Sequence, residues 1–412
     1  MQTRREFLKT TTGIGMVAMA SGQPALGHPA AAVEASTGKR KRARADSVLD
    51  LAIVGTGKIS ARYLKQAAVG KNARFVATCA QHLDSAKSRA LEYGINAWFD
   101  DYNKMYDTVR PDGVIVATPN ALHAGPTIAA LERGIPVLCE KPMAITWDDC
   151  VRMVETAKRT GTVFLSLPYD TSPAFLAALA HLNEATLGKL TGAEAQLLWP
   201  GAPWDNWYYE RSISGGAIES LVYPVSRLIN LLGPAKRVTG MANTLMPKRL
   251  IGDGKTVDSN IDDNITLIVE WESGQQAVMR TLWGASMFRN DSVIYGRHGT
   301  LWLSDDEVVV QSPDRAIEGL EKMTWRGFSD CYKIPFEPLQ DASQEGLVDH
   351  FVECIKGVRE PTCGSQQQLH VHEILFKGSE AAHTGTVRAL ETTFTSWHHI
   401  DPGFYDTRSR PV

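Results

Sequence analysis

Leu51-Ala52-Ile53-Val54 runs straight into Gly55-Thr56-Gly57-Lys58-Ile59-Ser60, where a helical pattern opens. A buried strand, a glycine turn and a helix in immediate succession fit few architectures. Gly55 permits a tight turn, Gly57 lets the backbone approach a pyrophosphate, and Ser60 is small enough for the helix to lie close to the strand. The free N–H groups and dipole of the helix start favour a phosphate. The same rhythm continues, with strands expected at Phe75–Cys79, Gly113–Ala117, Val137–Cys139 and Val163–Leu167. Helices are expected between them at Ile59–Ala68, Ser85–Tyr93, Ala124–Arg133 and Trp147–Arg159. Apolar strands alternating with helices indicate a parallel sheet buried on both faces. Residues 49–168 are therefore expected to form an α/β Rossmann domain with a doubly wound parallel sheet.

Beyond residue 169 the pattern changes. Ala193–Leu198, Ile265–Trp271, Gln276–Leu282 and Asp291–Tyr295 read as strands, several joined by short turns such as Glu272-Ser273-Gly274. An open, mainly antiparallel sheet is expected, with helices near 216–232, 345–355 and 369–384. Residues 169–395 are expected to be an α+β domain for substrate and subunit contacts, followed by a tail at 396–412. A sheet with one unfilled face needs a partner, so a homodimer or homotetramer is expected.

The N-terminus carries Thr3-Arg4-Arg5-Glu6-Phe7-Leu8-Lys9, then an uncharged stretch too rich in Gly, Thr and Ser to span a membrane. This resembles a twin-arginine export signal. Residues 1–27 are expected to be removed near Ala25-Leu26-Gly27, delivering an already folded protein to the periplasm. Residues 28–48, with Lys39, Arg40, Lys41, Arg42 and Arg44, read as a basic linker. The net charge of −3 gives no sign of a nucleic-acid partner, nor of a membrane once the signal is gone. The six cysteines lack metal-ligand spacing. A core completed before export forms under reducing conditions, so free, buried thiols are expected.

The second strand ends in Cys79-Ala80-Gln81-His82, with no acid before Asp84. A carboxylate at that point would hydrogen-bond the ribose 2′-OH of NAD. Its absence, with Gln81 and His82 able to donate to a 2′-phosphate, points to NADP, with NAD possible. Thr118-Pro119-Asn120-Ala121-Leu122-His123 and Cys139-Glu140-Lys141-Pro142 each follow a buried strand, at the carboxyl edge where ligands bind. In Ser214-Gly215-Gly216-Ala217-Ile218-Glu219-Ser220-Leu221-Val222-Tyr223-Pro224, Glu219 and Tyr223 share one helical face.

Asn-x-x-His, then Glu-Lys-Pro, then a Gly-Gly helix together resemble the glucose–fructose oxidoreductase/inositol dehydrogenase (Gfo/Idh/MocA) family, over about residues 49–390. With the export signal, the likeness is to its periplasmic twin-arginine branch. The resemblance implies NAD(P)-dependent oxidation–reduction of a CH–OH group on a sugar, polyol or glycoside; because the periplasm offers no ready pool of nicotinamide, the cofactor is expected to be tightly held. It implies cofactor contacts from Gly55, Gly57, Lys58, Ile59, Ser60, Gln81, His82, Thr118, Pro119, Asn120, His123, Glu140 and Lys141. Lys141 matches the lysine at the nicotinamide ribose and reacting hydroxyl, and Tyr223 matches the acid/base position. Glu219 stands where the family has Asp, and Pro168-Tyr169-Asp170 replaces a stretch that often carries Arg or His. Glu219, Tyr169, Asp170 and Trp207 are expected to hold the substrate. Trp199, Trp204, Trp207, Tyr208 and Tyr209 suit a sugar ring, or equally a core or subunit interface. Two other outcomes stay open: redox-neutral glycoside cleavage or epimerisation through transient oxidation, and a non-catalytic nucleotide-dependent sugar-binding protein. His370 and His372 lie two apart on a helix and point to different faces, so no metal site is expected.

Overall fold

The computed structural model describes residues 47–168, 172–202, 206–252, 254–337, 346–362 and 364–395. The expected signal, most of the linker, the tail, Tyr169, Asp170 and Cys363 lie outside them.

The first half comprises β1 (Leu49–Val54), α1 (Ser60–Gly70), β2 (Ala73–Cys79), α2 (Leu83–Glu92), β3 (Trp98–Phe99) and α3 (Tyr102–Val109). It continues through β4 (Gly113–Val116), α4 (Ala124–Glu132), β5 (Val137–Cys139), α5 (Trp147–Thr160) and β6 (Phe164–Ser166). The six strands form one parallel sheet in the order β3-β2-β1-β4-β5-β6. Leu51, Ala52 and Ile53 of β1 and Val114, Ile115 and Val116 of β4 are fully buried, which accounts for their unbroken apolar runs. The strand order reverses between β1 and β4, opening a crevice at their carboxyl ends. Helix α5 shows why the helices stop where they do. Thr146 caps its N-terminus by accepting from the Asp149 N–H, and Gly161 ends it in the left-handed conformation.

The second half begins with α6 (Pro173–His181), α7 (Glu184–Leu187), β7 (Leu190–Trp199), α8 (Arg211–Ser214) and α9 (Ile218–Leu232). Then come β8 (Arg237–Asn243), β9 (Lys248–Leu250), β10 (Thr256–Asp258), β11 (Asn264–Glu270), β12 (Gln276–Trp283) and β13 (Arg289–Gly296). The remainder is β14 (Thr300–Ser304), β15 (Val308–Gln311), β16 (Lys322–Trp325), β17 (Phe328–Lys333), α10 (Leu347–Lys356), α11 (Ser365–Thr384) and β18 (Arg388–Ala389). Ten of these strands make one sheet, β16-β17-β15-β14-β13-β7-β12-β11-β8-β18. Only β7 and β12 pair in parallel, so the sheet is mixed and mostly antiparallel. Alternate residues of its strands are buried, such as Ala193, Ala195 and Leu197 of β7 and Ile265, Leu267 and Val269 of β11. Helices α9 and α11 cover that face, and α11 also packs on α5, joining the two halves. Cys79, Cys139, Cys150, Cys331 and Cys354 are buried free thiols.

His370 and His372 of α11 serve the packing. The His370 Nε2 accepts from the Ala235 N–H at 2.9 Å, and its Nδ1 meets Thr392 Oγ1 at 2.9 Å. The His372 Nε2 accepts from the Met143 N–H at 2.8 Å, and its Nδ1 donates to the Gln368 carbonyl at 2.7 Å. Both rings must stay neutral to accept, and burial pushes each down to about 4. Between about pH 6.5 and 4 the unfolded chain therefore binds protons that the folded chain refuses, and stability falls as pH falls. The expected loss across that window is about 3 kcal/mol per histidine. Urea unfolding from pH 7.5 to 4.5 measures it, and His372→Gln should flatten the profile by close to one proton. An unchanged slope in that variant contradicts the assignment.

Candidate active site

The glycine turn is built by a close approach. Gly55 has φ of 99°, and its N–H donates to the Cys79 carbonyl at 2.8 Å. A Cβ on Gly55 would lie 2.3 Å from the Ala117 carbonyl oxygen, so no side chain fits between the ends of β1 and β4. A Cβ on Gly57 would meet nothing within 4 Å, because that position faces open space. Ser60 is fully buried, and its hydroxyl donates to the Gly57 carbonyl at 2.6 Å, bracing the turn.

A cavity of about 1790 Å³ runs from this turn along the carboxyl edge of the parallel sheet to the covered face of the ten-stranded sheet. Lys58 and Ile59 line it beside the turn, and Gln81, His82 and Ser85 beyond the end of β2. Thr118, Pro119 and Asn120 line it after β4, and Glu140 and Lys141 after β5. An open glycine face at a helix start, with donors along the next strands, fits a dinucleotide. Asp100, directly after the two-residue β3, also reaches this wall. Sequence reasoning missed it because so short a strand has no readable period.

His123 departs from the expectation. It is fully buried behind the wall, with Nδ1 2.8 Å from the Pro142 carbonyl and Nε2 3.0 Å from the Thr118 carbonyl. Its position joins the two ligand-edge loops to each other instead of presenting a ring to the cavity. Burial lowers its pKa against the pull of those two carbonyls. Asn120 lines the cavity and also donates to the Ser214 carbonyl at 2.8 Å, tying the β4 loop to the approach to α9. Glu140 accepts from the Tyr63 hydroxyl at 2.5 Å and from the Lys141 N–H at 3.0 Å, which fixes the backbone from which Lys141 projects.

At the far side of the edge, Lys141 forms an ion pair with the Glu219 carboxylate and also donates to the Glu219 carbonyl at 3.3 Å. Its Nζ lies 5.0 Å from the ring centre of Tyr223. Burial works against the charge on Lys141, but Glu219, Tyr223 and Glu140 outweigh it and hold the amine above the ordinary lysine range. Burial pushes the Tyr223 phenol up, and the Lys141 charge opposes that rise. Trp207 stacks on Tyr208 with ring centres 3.9 Å apart, and both line the cavity with Trp199. Trp283, which sequence reasoning did not single out, stands fully buried behind them and meets Trp199 edge-on at 5.1 Å. Its indole N–H donates to Ser220 Oγ at 2.5 Å, fixing the sheet against α9. Arg227 is a further residue the sequence reading passed over. It follows Tyr223 by one turn on α9, is buried, and faces the same cavity. The repeat Glu219, Tyr223, Arg227 at steps of four is the signal that would have found it.

A Rossmann crevice opening onto a lysine, a carboxylate and a phenol defines a dinucleotide-dependent oxidoreductase. Two family models agree, one described as the oxidoreductase family with an NAD-binding Rossmann fold over residues 49–167, the other as the GFO/IDH/MocA C-terminal domain over residues 175–302. The chain belongs to the Gfo/Idh/MocA oxidoreductase family, and it is an NAD(P)-dependent enzyme acting on CH–OH groups, which sets aside the non-catalytic alternative. It is 28% identical over 264 residues to the D-glucoside 3-dehydrogenase of Escherichia coli, covering 62% of this chain and 71% of that one. It is 28% identical over 232 residues to a 2,7-anhydro-N-acetylneuraminate hydratase of Mediterraneibacter gnavus, covering 54% and 61%. A solved levoglucosan dehydrogenase in complex with NADH and L-sorbose superposes with a TM-score of 0.72 at 18% identity. The superposition spans 84% of this chain and all of that one, and shows a shared fold.

Proposed function

We propose that this protein interconverts a CH–OH group and a carbonyl on a sugar, polyol or glycoside, using a tightly held NADP(H), in the periplasm. The observation that carries the reading is the meeting of Lys141, Glu219 and Tyr223 at one end of a cavity whose other end is the glycine turn. When bound, the nicotinamide supplies the hydride acceptor or donor. In oxidation Tyr223 takes the proton of the substrate hydroxyl, and in reduction it returns one. The Lys141 amine favours the phenolate and orients the hydroxyl. Glu219 and Trp207 hold the ring, carboxylate to hydroxyl and indole face to C–H face.

Gln81, His82 and Ser85, without a carboxylate on β2, support NADP, whereas Asp100, directly after β3, favours NAD. Mass spectrometry of the nucleotide carried by the purified protein separates the two. The same preparation, screened with sugars for a change in nucleotide fluorescence, should respond. Tyr223→Phe should lower kcat by about 10²- to 10⁴-fold while leaving melting unchanged. Wild-type turnover in that variant defeats the reading.

The relative named as a hydratase favours a second reading, in which transient oxidation serves a redox-neutral conversion. Product analysis without net nucleotide turnover would identify it. The export proposal rests on Arg4-Arg5 and its flanking residues. The oligomer proposal rests on exposed Met241, Ile268 and Val278 across β8, β11 and β12. A nucleotide-loaded homodimer or homotetramer is expected in the periplasmic fraction, and Arg4→Lys/Arg5→Lys should hold it in the cytoplasm. A monomer, or export unaffected by that change, contradicts the respective proposal.

A further inference from the structure

We propose that the cavity holds a second, outer sugar subsite beyond Tyr223, and that the substrate is a neutral glycoside or disaccharide larger than one ring. The proposal rests on the sugar-oxidoreductase reading above and specifies its substrate. Glu219, Tyr223 and Arg227 form one stripe along α9, all facing the cavity, and eight helical residues extend about 12 Å. A single pyranose spans less than the axial distance from Glu219 to Arg227. One helical turn further, about 5.4 Å, is the advance of one more ring.

The outer wall carries the groups that a second ring would use. Arg227 lies 3.3 Å from Asp305 and 3.5 Å from the Asn290 carbonyl. The Asn290 amide donates to both Asp305 oxygens, at 2.9 and 3.0 Å. Asp306 lines the same wall, as do the rings of Phe288 and Phe336. An amide, a guanidinium and carboxylates beside aromatic faces match hydroxyl edges and C–H faces. Two carboxylates against one guanidinium disfavour an anionic extension and favour a neutral one.

The test compares kcat/KM for a methyl hexoside and for neutral disaccharides of the same reacting sugar, alongside calorimetric binding of each to the nucleotide-loaded protein. The disaccharide is expected to be preferred at least tenfold in both measurements. Asp305→Ala should lower the disaccharide-to-methyl-hexoside ratio tenfold or more. Arg227→Met should do the same. If Arg227→Met does not fold, Asp305→Ala and Asn290→Ala carry the test. Wild-type protein that turns over methyl hexosides with no gain from a second ring overturns the subsite and leaves the oxidoreductase reading standing. A preference for disaccharides that survives Asp305→Ala and Asn290→Ala also overturns it. If neither ligand class binds or reacts, the sugar reading itself fails.

Discussion

Lys141→Ala is expected to lower kcat by about 10³-fold and to destabilise the fold by about 3–5 kcal/mol. The two effects have separate causes. Catalysis suffers because the cation beside the Tyr223 phenol disappears, while burial continues to push that phenol up. Stability suffers because the Glu219 carboxylate, whose side chain is only 7% exposed, loses its ion-pair partner. Removing one member of a buried pair costs far more than removing both. Lys141→Ala/Glu219→Gln should therefore recover most of the lost stability and none of the lost turnover. Chemical denaturation and steady-state kinetics on the single and double variants form the cycle. Lys141→Arg keeps the charge but replaces a point donor with a rigid fork, so it should fold normally and remain slow. A Lys141→Ala protein that melts like the parent would mean the ion pair contributes little and the charge on Glu219 is satisfied elsewhere.

Gly55→Ala and Gly57→Ala, two residues apart, should fail in different ways. At Gly55 the added methyl would meet the Ala117 carbonyl at 2.3 Å, on a residue already at positive φ. Neither the backbone oxygen nor the strand carrying it can move without separating β1 from β4, so a loss of about 3 kcal/mol or more is expected. At Gly57 the methyl enters open space, and the melting temperature of nucleotide-free protein should hold or rise slightly. The same methyl occupies the approach to the helix N-terminus, so nucleotide affinity should fall at least about 100-fold. Thermal melting without nucleotide and titration with NADP and NAD distinguish the two. Normal nucleotide affinity in Gly57→Ala would place the pyrophosphate elsewhere in the cavity.

The expected strands and helices of the first half match the observed ones to within a few residues, because a strand buried on both faces reads as an unbroken apolar run. What escaped there, β3 and α3, are elements too short or too polar to show a period. In the second half, β8, β14, β16 and β17 escaped because strands with an exposed face carry mixed side chains, and β15, buried at Val308, Val309 and Val310, escaped because it is only four residues long. Within the site, Lys141 and Tyr223 were legible because their motifs are local, each spanning a few residues on one strand edge or one helix. Asn290 and Asp305 were not, since each is an ordinary polar residue in its own segment. Only the folding of β13 and the β14–β15 turn against α9 brings them to Arg227. His123 was misread for the same reason. Its motif sits at the ligand edge, but its direction depends on the β5 loop behind it.

The amino-acid order alone determined the glycine turn, the alternation that builds a parallel sheet, and the placing of a lysine at a strand edge and of a carboxylate and a phenol on one helical face. These depend on backbone sterics and periodicity within about a dozen neighbours. The tertiary structure decided the pairing of Lys141 with Glu219, 78 residues apart, and the neutral state imposed on His370 and His372. It also decided the depth of the cavity past Tyr223. Such properties depend on the dielectric and on partners delivered by other elements, and a linear pattern carries neither.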